Sequence, residues 1–283
     1  MSSDQNSFYK AFEDQHRGSR ELIKSRLAVY LPFIKKVQEV HPNATALDLG
    51  CGRGEWLELL QDNQLNASGI DQDDGMLSAC RSRGLNVQTG DAIAHLQSLP
   101  NDSLSIVSGF HIAEHLSLDD LQTLIKEALR VLKPAGLLIL EAPNTENLVV
   151  GTSSFYLDPT HQRPLPSSLL SFLAGYFGFA RAKVLGVQES IPLREKHGPT
   201  SLFAVLSGVS PDYAVIAQKA AEPKLMQAFD TAFSKEYGLT LEALANRYQR
   251  QIDELSRKAE LSHQRLEKIL RLLSPSKWFQ RIK

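Results

Sequence analysis

The chain has 283 residues, 42% hydrophobic and 22% charged, with Lys+Arg 31 against Asp+Glu 32; that length buries a full core, and the near-neutral balance excludes a uniformly basic protein that coats nucleic acid. No apolar run of about 18 residues is present to span a bilayer, the polar, acidic start MSSDQNSFYKAFEDQ lacks the regions of a secretory signal, and Cys51 and Cys80 are too few for a disulfide framework. The expectation is a cytoplasmic protein.

Residues 20–30, with Leu22, Ile23, Leu27 and Tyr30 apolar, and then 33–40 read as helices, so 1–43 is expected to form a helical lid over one mouth of the fold. From 44 to 209 short apolar runs alternate with helical patterns. The run 44–49 leads through a glycine turn into helix 55–63; 67–70 leads into 75–83, and 86–89 into 92–99, which ends at Pro100. The run 104–110 precedes 118–132, where Leu121, Leu124, Ile125, Ala128, Leu129 and Leu132 recur at helical spacing. Lys133-Pro134-Ala135-Gly136 stops that helix before the run 137–140. Short strands alternating with helices predict a parallel α/β sheet covered on both faces. After a long loop, 144–166, come helix 167–177 and two further apolar runs, 180–187 and 202–207, then a helical linker, 210–238.

From Leu241 the period changes. Apolar or small residues recur at Leu241, Leu244, Tyr248, Ile252, Leu255, Ala259, Ser262, Leu266, Ile269 and Leu273, in steps of three and four. That spacing predicts a coiled coil over 239–274 that holds two or more chains together, with a single helix folded back on the domain as the other reading. Residues 239–283 carry ten Lys/Arg against five acids, so the charge is unevenly divided. Beyond Pro275, the tail 275–283 joins Lys277, Arg281 and Lys283 to Trp278, Phe279 and Ile282, a composition suited to peripheral contact with an anionic membrane.

The chemistry is densest in Leu47-Asp48-Leu49-Gly50-Cys51-Gly52-Arg53-Gly54-Glu55-Trp56. Its glycines permit a tight turn whose backbone N–H groups are expected to face a ligand at the start of a helix. The spacing is Gly-x-Gly-x-Gly, and Asp48 precedes it; a carboxylate there suits an ammonium group and not a pyrophosphate. Asp71 ends the second strand, where it can accept from both hydroxyls of a ribose, and Asp91 in Gly90-Asp91-Ala92 ends the third, placed to accept from an adenine amino group. Three carboxylates around one glycine turn describe a site for an aminoacyl nucleoside without phosphates.

LDLGCGRGEW, Asp71 and Gly90-Asp91-Ala92 together resemble the class I S-adenosylmethionine (SAM)-dependent methyltransferases over about residues 44–209, with Pro134-Ala135-Gly136 where that family commonly has Pro-Gly-Gly. The resemblance implies a Rossmann-like, seven-stranded, mostly parallel sheet, SAM as cosubstrate, and a binding set of Asp48, Gly50, Gly52, Gly54, Asp71, Asp91, Ala92 and Phe110. Phe8-Tyr9, Arg17-Gly18-Ser19-Arg20-Glu21, Phe110-His111-Ile112-Ala113-Glu114-His115 and Tyr156-Leu157-Asp158-Pro159-Thr160-His161-Gln162-Arg163-Pro164 resemble, more narrowly, the methyltransferase domain of bacterial O-antigen chain-terminating enzymes. Those enzymes cap a growing polysaccharide and carry a C-terminal coiled coil. Many also carry a kinase domain, but no His-Arg-Asp catalytic loop follows residue 209 here, which leaves sugar hydroxyl or sugar phosphate open as acceptor. A lipid-linked glycan acceptor, a glycosyltransferase partner and no nucleic acid are the corresponding partner expectations. A small-molecule methyltransferase of the quinone-biosynthesis kind, or a scaffold with a vestigial domain, are the rival readings.

His111 and His115 follow the fourth strand, beside the expected methyl group, and a histidine there can take the acceptor's hydroxyl proton. His115 is the expected base, and His161, in the loop expected to roof the acceptor with Asp158 and Arg163, the expected acceptor contact. The string from His111 to His115 also matches the His-x-x-Glu-His zinc pattern. That pattern requires a helix and a further ligand, so no metal is expected. Arg17 and Arg20 are candidates to pair the cosubstrate carboxylate, and Cys51 and Cys80 read as small apolar fillers.

Overall fold

The computed structural model describes residues 18–195 and 200–273. Arg17, the tail 275–283 and the expectations placed on them lie outside those residues. Seven strands form one sheet in the order β3-β2-β1-β4-β5-β7-β6: β1 (Thr45–Leu49), β2 (Asn66–Asp71), β3 (Asn86–Thr89), β4 (Leu104–Phe110), β5 (Leu132–Pro143), β6 (Arg181–Val187) and β7 (Asp212–Gln218). The first five are parallel, and β7 lies antiparallel between β5 and β6. This is the expected Rossmann-like class I arrangement. The strand order reverses between β1 and β4, where a crevice opens outside the carboxyl ends of the strands.

Alternate residues of the strands feed two cores. Leu47, Leu49, Val107, Leu138, Leu140 and Val215 pack on one face against Leu121, Leu124, Ile125 and Ala128 of α6 (Leu118–Val131) and Leu170 of α8 (Ser167–Phe177). Ala46, Ile106, Leu137, Ile139 and Ile216 pack on the other, against Tyr30, Phe33, Ile34 and Val37. Three of these last four belong to α2 (Leu31–Val40), which buries that face in the core while Pro32, Lys35 and Glu39 stay exposed. The lid expected from 1–43 is thereby narrowed: among the described residues only α1 (Arg20–Leu27), capped by the Ser19 hydroxyl, reaches the crevice.

Two boundaries are corrected. The apolar run 202–207 is a helix, α10 (Leu202–Ser207), because the Ser201 side chain accepts from the N–H of Ala204 and starts it. The seventh strand is 212–218, so the domain does not close at 209 and the supposed linker begins inside the sheet. Between them lie α3 (Glu55–Asp62), α4 (Asp74–Ser82), α5 (Ala92–Ser98), α7 (Leu148–Thr152) and α9 (Ile191–Glu195). The chain then runs through α11 (Pro223–Gln227) and α12 (Asp230–Ser234) into α13 (Leu241–Leu273), a single helix of 33 residues. Leu244, with Leu241 and Tyr248 beside it, packs on Val205, Val209 and Leu239, so the first turns of the predicted seam belong to the domain. No described helix is long and apolar enough to cross a membrane.

Candidate active site

The crevice holds a cavity of about 380 Å³. Strand β1 brings Asp48 to it and the following turn Gly50, while β4 brings Phe110 and, one residue on, His111. Asp48 is 3% exposed and is held by a relay: the Trp56 indole N–H donates to Ser108 Oγ at 3.0 Å, and the Ser108 hydroxyl donates to Asp48 Oδ1 at 2.7 Å. Gly50 has φ +67 and Gly54 φ +78, a backbone region that side chains disfavour. A Cβ at Gly54 would also lie 2.6 Å from Leu85 Cδ1 and 2.9 Å from Cys80 Sγ, so this glycine serves the packing of α3 on α4.

The turn differs from expectation in one respect. The N–H groups of Gly50 and Cys51 both donate to the carbonyl of Ile70, at 2.8 and 3.1 Å, and that of Gly52 to Asp71 Oδ2 at 2.8 Å. These donors are directed inward and form no anion cradle, which agrees with a ligand lacking phosphates. Asp71 Oδ1 accepts from Asp73 N–H at 2.9 Å. Asp91 is the N-cap of α5, Oδ1 accepting from Ala94 N–H at 2.8 Å, and Oδ2 accepts from the Gln72 amide at 3.2 Å. Gly52, Gly54, Asp71, Asp91 and Ala92 do not line the cavity.

Arg20 is not free to meet a ligand carboxylate. Its guanidinium pairs with Glu55 at 3.1 Å and Glu58 at 2.9 Å and donates to the Arg53 carbonyl, because α1 lies along α3. The arginine that lines the cavity is Arg26, two turns further on. Sequence reasoning passed over it, as it passed over Tyr30, Glu141, Gln188 and Asp212, whose meeting depends on β4, β5 and β7 being neighbours.

Those residues form a charged floor. His111 has φ +55, and its N–H donates to the Glu141 carbonyl at 3.0 Å. Its ring joins two carboxylates, Nδ1 to Glu114 Oε1 at 3.1 Å and Nε2 to Glu141 Oε1 at 3.5 Å. Burial alone would lower the imidazole's pKa, but the bonds to Glu114 and Glu141 outweigh it and raise it well above the ordinary histidine range. Glu114, which burial pushes upward, is held below the usual carboxylate value by the His111 bond and charge. The Glu141 carboxylate also accepts from the Tyr30 hydroxyl and from the Gln188 amide at 2.7 Å. Asp212, facing this cluster, is raised to about 7 by burial, with Glu141 and Glu114 adding and His111 opposing. Both ring nitrogens of His111 are thus engaged by carboxylates, an arrangement that suits a buttress between Glu114 and Glu141.

The loop 144–166 roofs the cavity, contributing Val150, Ser154, Phe155, Leu157, Asp158 and His161. It is fastened at both ends. The Asn147 side chain donates to the carbonyls of Ser207 and Val209 at 3.0 and 2.8 Å, and Gln162 donates to those of Glu114 and His115, both at 2.9 Å. The second fastening lays His161 on His115, ring centroids 4.7 Å apart. Thr160 Oγ1 lies 2.6 Å from Asp158 Oδ1 and 2.9 Å from His115 Nδ1. The hydroxyl has one proton and an ionised carboxylate only accepts, so that proton goes to Asp158 and His115 Nδ1–H donates to Thr160. His115 thus keeps its Nε2 lone pair, and burial lowers the pKa of the ring, which favours its neutral form. His161 is fixed the same way: Nδ1 lies 2.6 Å from the Phe155 carbonyl and must donate to it. Arg163 does not line the cavity.

A family model described as a methyltransferase domain matches residues 47–140. Over 161 residues the chain is 30% identical to a Mycolicibacterium smegmatis protein named a probable S-adenosylmethionine-dependent methyltransferase, covering 56% of this chain and 62% of that one. Over 120 residues it is 31% identical to the ubiquinone/menaquinone biosynthesis C-methyltransferase UbiE of Campylobacter jejuni, covering 39% of this chain and 50% of UbiE. The chain thus spans less than two thirds of these curated relatives' length. The crystal structure of a SAM-dependent methyltransferase from Archaeoglobus fulgidus is 32% identical, with TM-score 0.66, over 75% of this chain and 100% of that one. With the glycine turn, the strand order and the acid-lined crevice in agreement, the chain belongs to the class I SAM-dependent methyltransferases.

Proposed function

We propose that the protein transfers a methyl group from SAM to a hydroxyl oxygen at the non-reducing end of a bacterial surface polysaccharide, terminating its growth. The observation that carries this reading is the chain Asp158–Thr160–His115, which fixes one tautomer of His115 and leaves its Nε2 lone pair at a cavity wall. When bound, SAM supplies an electrophilic methyl group on a sulfonium. Asp48 and Gly50 suit its amino-acid end, and Asp71 and the Asp91-Ala92 pair its nucleoside. A neutral His115 can accept the proton of an attacking hydroxyl, and its orientation is prepared in advance.

The cavity walls also bear on the acceptor. They carry Asp48, Glu55, Glu141, Asp158 and Asp212; Arg20 and Arg53 offset Glu55 and His111 offsets Glu141, which leaves Asp48, Asp158 and Asp212 against Arg26. Such a surface repels a phosphorylated end and favours a neutral polyol, so a sugar hydroxyl is the proposed acceptor. The second reading, methyl transfer to a small quinone precursor, has in its favour the likeness to UbiE over 120 residues. SAM carrying a labelled methyl, incubated with lipid-linked glycan, with a quinone precursor and with neither, separates the two. Label in the glycan's terminal sugar is expected, and label in the quinone precursor alone refutes the proposal. We further propose that a second copy of this chain pairs along the free part of α13. Assembly at the cytoplasmic membrane face beside a glycosyltransferase completes this reading.

A further inference from the structure

The His-x-x-Glu-His string lacks a further metal ligand in sequence, but the fold supplies one. The loop 144–166 folds back so that ligand atoms of Glu114, His115 and His161 lie within 4.8 Å of one another. We infer that Glu114, His115 and His161 form a binding site for a divalent transition-metal cation, open on the cavity side to two adjacent hydroxyls of a sugar.

Three observations carry this. The donor set is two imidazoles and one carboxylate, the arrangement that leaves coordination positions open for substrate oxygens. Both imidazoles are already oriented as ligating histidines are: His161 Nδ1–H is tied to the Phe155 carbonyl and His115 Nδ1–H to Thr160 and through it to Asp158, leaving both Nε2 lone pairs. Glu114, 1% exposed, has Oε2 without a hydrogen-bond partner, while its Oε1 stands 3.9 Å from His161 Nε2. A buried carboxylate with a single bond, to His111, is under-satisfied, and a cation bound by it would add a partner.

The neighbouring group of His111, Glu141 and Asp212 has the same reach but a different character. Both ring nitrogens of His111 already face carboxylates, so neither is left for a cation there.

The purpose of the site rests on the methyl-transfer reading; its existence does not. An ion at this place would chelate a vicinal diol and lower the pKa of a bound hydroxyl, whose proton would pass to solvent water, and the resulting alkoxide would take the methyl as S-adenosylhomocysteine leaves. With the ion bound, the His115 lone pair would be a metal ligand and the ring would orient the acceptor, not accept its proton.

The test is titration of the full chain, stripped with chelator, with Co²⁺, read by visible d–d absorption and by calorimetry, without acceptor. One equivalent is expected to bind, and Glu114→Gln and His161→Ala are each expected to weaken it ~10-fold or more, while SAM affinity stays as in the wild type. As a check independent of absorption, Zn²⁺ should raise the melting temperature of the wild type and not of either variant. No d–d absorption with the intact protein, or unchanged affinity in both variants, overturns the inference. Binding that both variants lose supports it even if no glycan accepts methyl, since that result would refute only the acceptor.

Discussion

Nδ1 of His115 and Oγ1 of Thr160 lie 2.9 Å apart, and the Thr160 proton is already committed to Asp158. A threonine therefore decides which nitrogen of the histidine faces the cavity. His115→Ala is expected to lower kcat by roughly 10²–10⁴ while SAM still binds. Thr160→Val, which keeps the shape and removes the bond, should cost about 0.5–1.5 kcal/mol, a roughly 2- to 10-fold loss in kcat with little change in SAM affinity. Single-turnover rates beside binding calorimetry check both. A Thr160→Val enzyme with wild-type turnover would show that the relay does not position the ring.

Asp71 binds the glycine turn through Gly52 N–H and its own loop through Asp73 N–H, and each carboxylate oxygen keeps a further lone pair for ligand. Asp71→Ala removes bonds to a charged acceptor worth roughly 1.5–3 kcal/mol, so SAM affinity should fall ~10-fold or more. Asp91, capping α5 with one oxygen and accepting from Gln72 with the other, should show the smaller effect on affinity and the larger on local stability. Calorimetry and thermal melting on the two alanine variants distinguish them; equal affinities in wild type and Asp71→Ala refute the ribose assignment.

Asp212 carries a pH dependence that stability measurements can read. Its pKa in the folded chain is raised to about 7, chiefly by burial, above an unfolded value of about 3.9. The contribution to stability from this group is then complete below its unfolded pKa and is lost as pH rises through about 7. Asp212→Asn, neutral and isosteric, should melt higher than the wild type at pH 8 and close to it near pH 4. A difference that does not vary with pH would mean that Asp212 ionises normally.

These sites differ in how far the sequence discloses them. The first four strands and the helices between them begin and end within about two residues of where periodicity and turn residues put them, because glycine turns and caps such as Asp91 act over a few positions. The last strand is less legible for the opposite reason. Run 202–207 is the more apolar of the two, while 212–218 is bounded by Asp212 and Gln218, and the deciding signal is the Ser201 cap that turns the first into a helix. The site divides in the same manner. Asp48, Gly50, Phe110 and the three histidines stand in motifs, whereas Tyr30, Arg26, Glu141 and Asp212 come together only because the sheet places β7 beside β5 and the N-terminal segment 20–30 packs against that region. Arg20 resembles a ligand anchor in sequence, but Glu55 and Glu58 hold its guanidinium.

The C-terminal helix gives the last prediction. Its first three turns are fastened to the domain: Leu244 is buried, Arg247 donates to the Leu193 carbonyl at 2.6 Å, and Thr200 N–H donates to Gln251 Oε1 at 2.8 Å. Beyond Gln251 the side chains turn to solvent, including Ile252, Leu255, Leu266 and Ile269. With Ala259 and Ser262 these make alternating steps of three and four, a stripe that a helix buries only against another helix. Truncation after Glu254 should therefore give a monomer that melts like the full chain and still binds SAM. Truncation after Leu239 removes Leu244, Tyr248 and the bonds of Arg247 and Gln251, so that shorter chain should melt well below both. Light scattering with thermal melting reads the two effects separately. A monomeric full-length chain would refute the pairing of α13, and a Leu239 truncation as stable as the full chain would refute its docking on the domain.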